Sequence, residues 1–198
     1  MDRRLRFAAV LAVQLVILGA VPARQVLARL RGHEVTLLTA PVDPFSPFGG
    51  YFMTLSYEVE REAREKASGA FANHDVVFLV VEKGEPDWRL VSVERQLPAP
   101  RAGRAVLRAR WRGPARFELS MGSWAQPVLE SAGRFYLPEA KARALEKAMA
   151  DEWKRVSDLP WDERRLAQRT RMLVDLRADD AGNVALVRLR YGTLTFEE

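Results

Sequence analysis

The longest apolar stretch in the chain, Phe7 to Val21 (FAAVLAVQLVILGAV), is broken only by Gln14 and follows Arg3, Arg4 and Arg6. A basic start followed by such a run is the pattern of a targeting segment. A helix of that length covers about 22 Å, against roughly 30 Å of bilayer hydrocarbon, so a span must recruit flanking residues or let arginines snorkel. Three readings follow: an uncleaved signal anchor, which we take as the expectation; a signal peptide cleaved after Val21-Pro22-Ala23, leaving a chain that starts near Arg24; or a buried core helix. Arg24, Arg29 and Arg31 follow the run within ten residues, matching in number the three arginines before it, so loop charge discriminates weakly. The short N-terminal tail favours a cytoplasmic N-terminus, with the domain outside the cytoplasm.

Beyond residue 32 the period shortens to two. Glu34–Ala40 reads as a first strand, and three prolines between Pro41 and Pro47 then force turn or extended geometry. Tyr51–Val59 (YFMTLSYEV) alternates, with Tyr51, Met53, Leu55, Tyr57 and Val59 on the face expected in the core. Residues 60–72 are rich in helix formers without an apolar stripe, and predict a short exposed helix or loop. Asp75–Lys83 is a nearly continuous apolar strand, paired across Gly84–Asp87 with Trp88–Arg95. Ala105–Arg112 alternates Leu107, Ala109 and Trp111 with Arg108, Arg110 and Arg112, and Gly113-Pro114 turns it into Arg116–Met121. Pro138–Val156 is the main amphipathic helix, with Pro138 and Glu139 at its start and Ala142, Leu145, Met149, Trp153 and Val156 on one face. A closing hairpin joins Met172–Leu176 to Val184–Tyr191 across Asp179–Asn183. The expected class is α+β: residues 1–32 as membrane anchor and linker, then one largely antiparallel domain over 33–198.

Charge changes this picture. The pI near 9.9 would suit a nucleic-acid binder, but the whole net charge of +5 resides in residues 1–31, and the remainder is balanced. The folded part therefore has no overall field for a polyanion, and no nucleic-acid partner is expected. The chain has no cysteine, which removes disulfides, thiolate metal sites and cysteine nucleophiles together.

The remaining constellations are sparse. His33 and His74 lack a third ligand at metal spacing, Asp179, Asp180 and Asn183 lack the pattern of a calcium loop, and neither Ser46 nor Ser123 lies in a nucleophile elbow. No catalytic residue, metal or cofactor is expected. The arginine row Arg108, Arg110 and Arg112, echoed by Arg188 and Arg190, is a candidate anion-binding set if the two strands are neighbours, although acids such as Glu94 or Glu118 would neutralise it. Trp88, Trp111, Trp124, Trp153 and Trp161 read as core and rim residues.

The segment Thr39-Ala40-Pro41-Val42-Asp43-Pro44, then Gly50 to Val59, resembles the membrane-anchored bacterial family named for the motif GDYXXLXY. Phe135-Tyr136-Leu137-Pro138-Glu139 is similar to that family's aromatic-proline-glutamate helix start, and the Gly182 hairpin to its C-terminal end. Tyr51 and Phe52 replace the motif's aspartate and first tyrosine, so Gly50, Leu55 and Tyr57 carry over. The resemblance implies anchoring and architecture, and a structural part for Asp43, Gly50, Leu55, Tyr57, Pro138 and Glu139, without naming a reaction. The functional expectation is a non-enzymatic extracytoplasmic accessory or interaction protein, held in the membrane through residues 7–21 beside an integral membrane partner. The alternative is an envelope protein with a cleaved signal, acting as a small-ligand binder or as an acid-base hydrolase through carboxylates around Asp43 and Glu58.

Overall fold

The structure, a computed structural model, describes residues 3–40, 52–67, 70–113, 125–160, 163 and 170–197. It opens with helix α1 (Arg3–Arg31), which bends by 43° between Arg3–Ala20 and Ala23–Arg31. Pro22 lies in the break and supplies no N–H to the helix ladder, the usual cause of such a bend. No single helix among the described residues is long and apolar enough to cross a membrane, whereas the two halves of α1 together meet that test of length and composition.

Two four-stranded antiparallel sheets and a two-stranded one follow. The first sheet has the order β1-β8-β9-β10, from β1 (His33–Leu38), β8 (Met172–Ala178), β9 (Val184–Tyr191) and β10 (Leu194–Glu197). The second has the order β4-β3-β5-β6, from β3 (Val76–Glu82), β4 (Arg89–Glu94), β5 (Arg104–Arg112) and β6 (Gln126–Val128). Between them β2 (Phe52–Thr54) pairs with β7 (Arg134–Tyr136). Backbone bonds join the two large sheets twice, Trp88 N to Thr36 O and Arg108 N to Gly182 O, each at 2.8 Å. They share one core, in which Val35, Leu37, Leu79, Leu107, Trp111, Leu176 and Leu189 are buried. The alternation of Leu107, Ala109 and Trp111 against Arg108 and Arg112 is therefore an inside–outside pattern, as its period requires.

Helix α2 (Glu58–Ala67) lies against the edge strands β4 and β6 and against β1. Here the alternation of Tyr51–Val59 misleads. The strand ends at Thr54, and Glu58 already begins α2, although Met53, Leu55, Tyr57 and Val59 are all buried as expected. Nor is α2 an exposed helix, because Val59, Glu60 and Ala63 are buried; a carboxylate in the middle of its stripe hides the stripe from a hydropathy count. Helix α3 (Glu139–Ser157) begins as expected, with Pro138 as its N-cap, and buries Ala142, Leu145 and Val156. Trp153, expected on the same face, is 67% exposed.

The closing hairpin carries an additional strand, β10, which extends the sheet beyond β9. The residues expected to link anchor and domain are helical. Ala23–Arg31 packs on β8 and β9, Ala28 is fully buried, and Gly32 leads straight into β1. The proline loop, with Asp43, Gly50 and Ser46, lies outside the described residues, as do the expected strand Arg116–Met121, Ser123, Trp124 and Trp161.

Candidate functional site

The motif segment builds a junction. After β2 pairs with β7, Leu55 N donates to Gly133 O at 2.9 Å, Ala40 N donates to Ser56 O at 2.8 Å, and Thr39 bridges Tyr57. Tyr57 is fully buried, and its Oη donates to Ala132 O at 2.7 Å. Three residues later the Glu60 carboxylate accepts Tyr57 N at 3.0 Å, Ser56 Oγ at 3.2 Å and Leu129 N at 2.7 Å. Reaching back to the N-cap N–H is half of a capping box and starts α2; the bond to Leu129 ties that start to the chain leaving β6. Leu55, Tyr57 and Glu60 thus grip the 3-10 turn Glu130–Ala132 and the residues on either side of it. Burial pushes Glu60 up to about 7, against the lowering effect of the bonds from Leu129, Tyr57 and Ser56. At α3, Pro138 O accepts Lys141 N and Ala142 N, and Glu139 pairs with Arg143 on the exposed face.

The five candidate anion-binding arginines divide into two sets, because β5 and β9 lie in different sheets. On β9, Arg190 Nη2 donates to Asp175 Oδ1 at 2.6 Å and Arg188 lies 3.7 Å from Asp175 Oδ2. Asp175 is buried and also accepts Thr36 Oγ1 at 2.7 Å, while Arg188 pairs with Glu197 at 3.4 Å. The register sets Thr36, Asp175, Arg188 and Glu197 in one row across the sheet, and Arg190 reaches Asp175 from two residues along β9, so both arginines are engaged by carboxylates of the neighbouring strands. On β5, Arg110 and Arg112 both pair with Glu130, at 3.1 and 2.7 Å. Hydrogen bonding from Arg112, seconded by Arg110, holds Glu130 below the ordinary carboxylate range. Arg108 is exposed and has no carboxylate partner among the described residues. Among the described residues the neutralising acids are Glu130, Asp175 and Glu197, while Glu94 accepts Ser92 Oγ at 2.8 Å and Glu118 lies outside the described residues.

A concavity of about 520 Å³ opens between α3 and the first sheet, lined among others by Met53, Leu55, Glu58, Glu152, Trp153 and Tyr191. Tyr191 Oη donates to Glu152. Burial alone would raise Glu152, but the bonds from Tyr191 and Thr170 outweigh it and hold the carboxylate low, while burial and Glu152 together push Tyr191 up. Glu58 is ion-paired with Arg61. Among the described residues no three His, Asp or Glu side chains are grouped as a metal site; His33 lies 4.0 Å from Asp180, and His74 lies away at a positive φ.

Glu60, Glu130 and Asp175 are the organising carboxylates, and none of them stood out in the sequence. Glu60 would have been legible as the third residue of a helix capped at Tyr57, had the alternation not carried the strand past it. Asp175 had a signal of its own, as the one acid within the otherwise apolar MLVDL.

An α+β domain of two four-stranded antiparallel sheets and a two-stranded one, continuous with an N-terminal apolar helix and locked by a tyrosine-closed segment, is the class these features define. The chain belongs to the family described as GDYXXLXY protein, whose match runs over residues 14–189 and so takes in the second part of α1 as well as nearly all of the domain. No curated protein and no solved structure matches the chain.

Proposed function

We propose that the chain is a membrane-anchored accessory or interaction protein, non-enzymatic, with its N-terminus in the cytoplasm and its domain outside, working beside an integral membrane partner. One observation carries this reading. Phe7, Val10, Leu11, Val13, Leu15, Val16, Ile17 and Leu18 are all exposed, and no residue of Arg3–Ala20 is buried against the domain. An apolar helix exposed on every side has water as its least favourable surroundings, and lipid or another apolar helix relieves that cost at about 25 cal/mol per Å². Arginines on both sides of the apolar run suit the two headgroup layers.

The test is carbonate extraction of membranes holding the full chain at native expression, with intact-mass analysis of the protein recovered. Retention of the intact chain in the pellet is the expected result. A soluble product starting near Arg24 would sink the anchored reading, since α1 residues from Ala23 onward can stay docked on the domain without the preceding arm. In that case the second reading leads, a small-ligand binder, which the 520 Å³ concavity with its exposed Trp153 favours. Its acid-base version is less well supported, with Tyr57 buried and Glu58 paired to Arg61.

A further inference from the structure

Ala23–Arg31 packs on β8 and β9 through Ala28 and lends residues to two concavities. One, of about 670 Å³, is lined by Arg29, Arg112 and Arg134; the other, of about 440 Å³, by Arg24, Arg108 and Arg110. Glu130, which lines both, is the sole acid among the described lining residues, and both its oxygens are engaged by Arg110 and Arg112. Arg24 and Arg108 have no carboxylate partner among the described residues, and Arg134 lies 5.3 Å over the Phe52 ring. On the same helical segment Val26, Leu27 and Leu30 are exposed, and Tyr136, 56% exposed, stands at the rim beside Phe52.

We propose that this basic surface around the base of α1 binds the phosphate headgroups of anionic phospholipids and so holds the domain against the bilayer. The inference rests on the anchored reading above. Its first support is charge: residues 32–198 are neutral as a whole and the β9 arginines are occupied by Asp175 and Glu197, yet among the described residues lining the two concavities six arginines accompany a single acid where the apolar arm leaves the domain. The second is reach. Arg24 follows Ala20 by about 6 Å of helix, within one Debye length of a surface at the end of the arm. The third is company, since arginine, tyrosine and exposed aliphatic side chains on one surface are the chemistry of a lipid–water interface. An acidic protein would be served by the arginines but would have no need of the aliphatic residues.

The chain has no cysteine, so a fluorophore on Ser131→Cys, exposed where the two concavities meet, reports on this surface alone. Full-length labelled protein is reconstituted in phosphatidylcholine vesicles, with or without about a third phosphatidylglycerol, and quenching by headgroup-labelled lipid is measured. Quenching is expected to rise with phosphatidylglycerol and to fall in half-molar salt. In Arg24→Gln, Arg108→Gln, Arg134→Gln the docked-to-undocked ratio is expected to drop by about fivefold per arginine, on the order of a hundredfold together, while the protein stays in carbonate-washed vesicles. Equal quenching in the two lipids, or an unchanged ratio in the triple variant, overturns the headgroup assignment and leaves anchoring standing. Protection of the label by millimolar glycerol phosphate without vesicles makes this a soluble-anion site and also overturns it. Loss of the protein from both vesicle types in carbonate overturns the anchoring itself.

Discussion

Tyr57 and Glu60 do at residue scale what a disulfide does elsewhere, joining segments far apart in a chain without cysteine. Tyr57→Phe keeps the ring in the core and removes the hydroxyl that bonds Ala132 O, so urea unfolding is expected to show a loss of about 1–1.5 kcal/mol with an unchanged m-value. No loss at all would mean that the hydroxyl is immaterial. Glu60 makes a pH prediction. Its folded value near 7 lies above the ordinary 4.5, so its contribution to stability is fully present below about 4.5 and is lost as pH rises through 7. The change amounts to about 3 kcal/mol for a shift of that size. Stability measured from pH 4.5 to 7.5 should carry this downward contribution in the wild type and lack it in Glu60→Gln. Parallel pH profiles for the two proteins would refute it. The variant should also be less stable throughout, because an amide offers one accepting oxygen to three donors.

Among the elements, the strands around Asp75–Arg112, the helix at 139 and the closing hairpin were legible because each has one dominant period and a turn signal at its end. The β2–α2 region was not, for a physical reason: burial at Met53, Leu55, Tyr57 and Val59 keeps period two across a change from strand to helix, and the change is made by Glu60 capping Tyr57 rather than by hydropathy. The candidate site was legible to the extent that Leu55 and Tyr57 were placed in the core and Pro138 and Glu139 at a helix start. The division of the arginines was not legible, because strand order is set by long-range pairing. The docking of α1 likewise hangs on one small residue. A Cβ at Gly32 would lie 2.4 Å from Ala28 O and 2.9 Å from the Ala178 backbone, contacts that no side-chain movement relieves. Gly32→Ala is expected to cost about 1–3 kcal/mol and to loosen the Arg177 bond to Arg29 O, read as faster amide exchange over residues 24–31 with little change in β3–β5. Uniformly faster exchange, or none, would show that the helix base and the domain are not coupled in this way.

In the whole molecule an exposed apolar arm continues through a docked helix base into a domain without net charge, and in the proposed function the arm serves as address and the domain as scaffold. The proposed function places the arm in the membrane and the domain outside the cytoplasm. Single reporters Arg4→Cys and Leu97→Cys, both at exposed positions, test it with a membrane-impermeant thiol reagent on spheroplasts. Leu97→Cys is expected to be labelled from outside, Arg4→Cys only after lysis, and both proteins to remain in the carbonate pellet; labelling of Leu97→Cys only after lysis, or its release as a soluble chain that has lost residues 1–23, would contradict an anchored domain outside the cytoplasm.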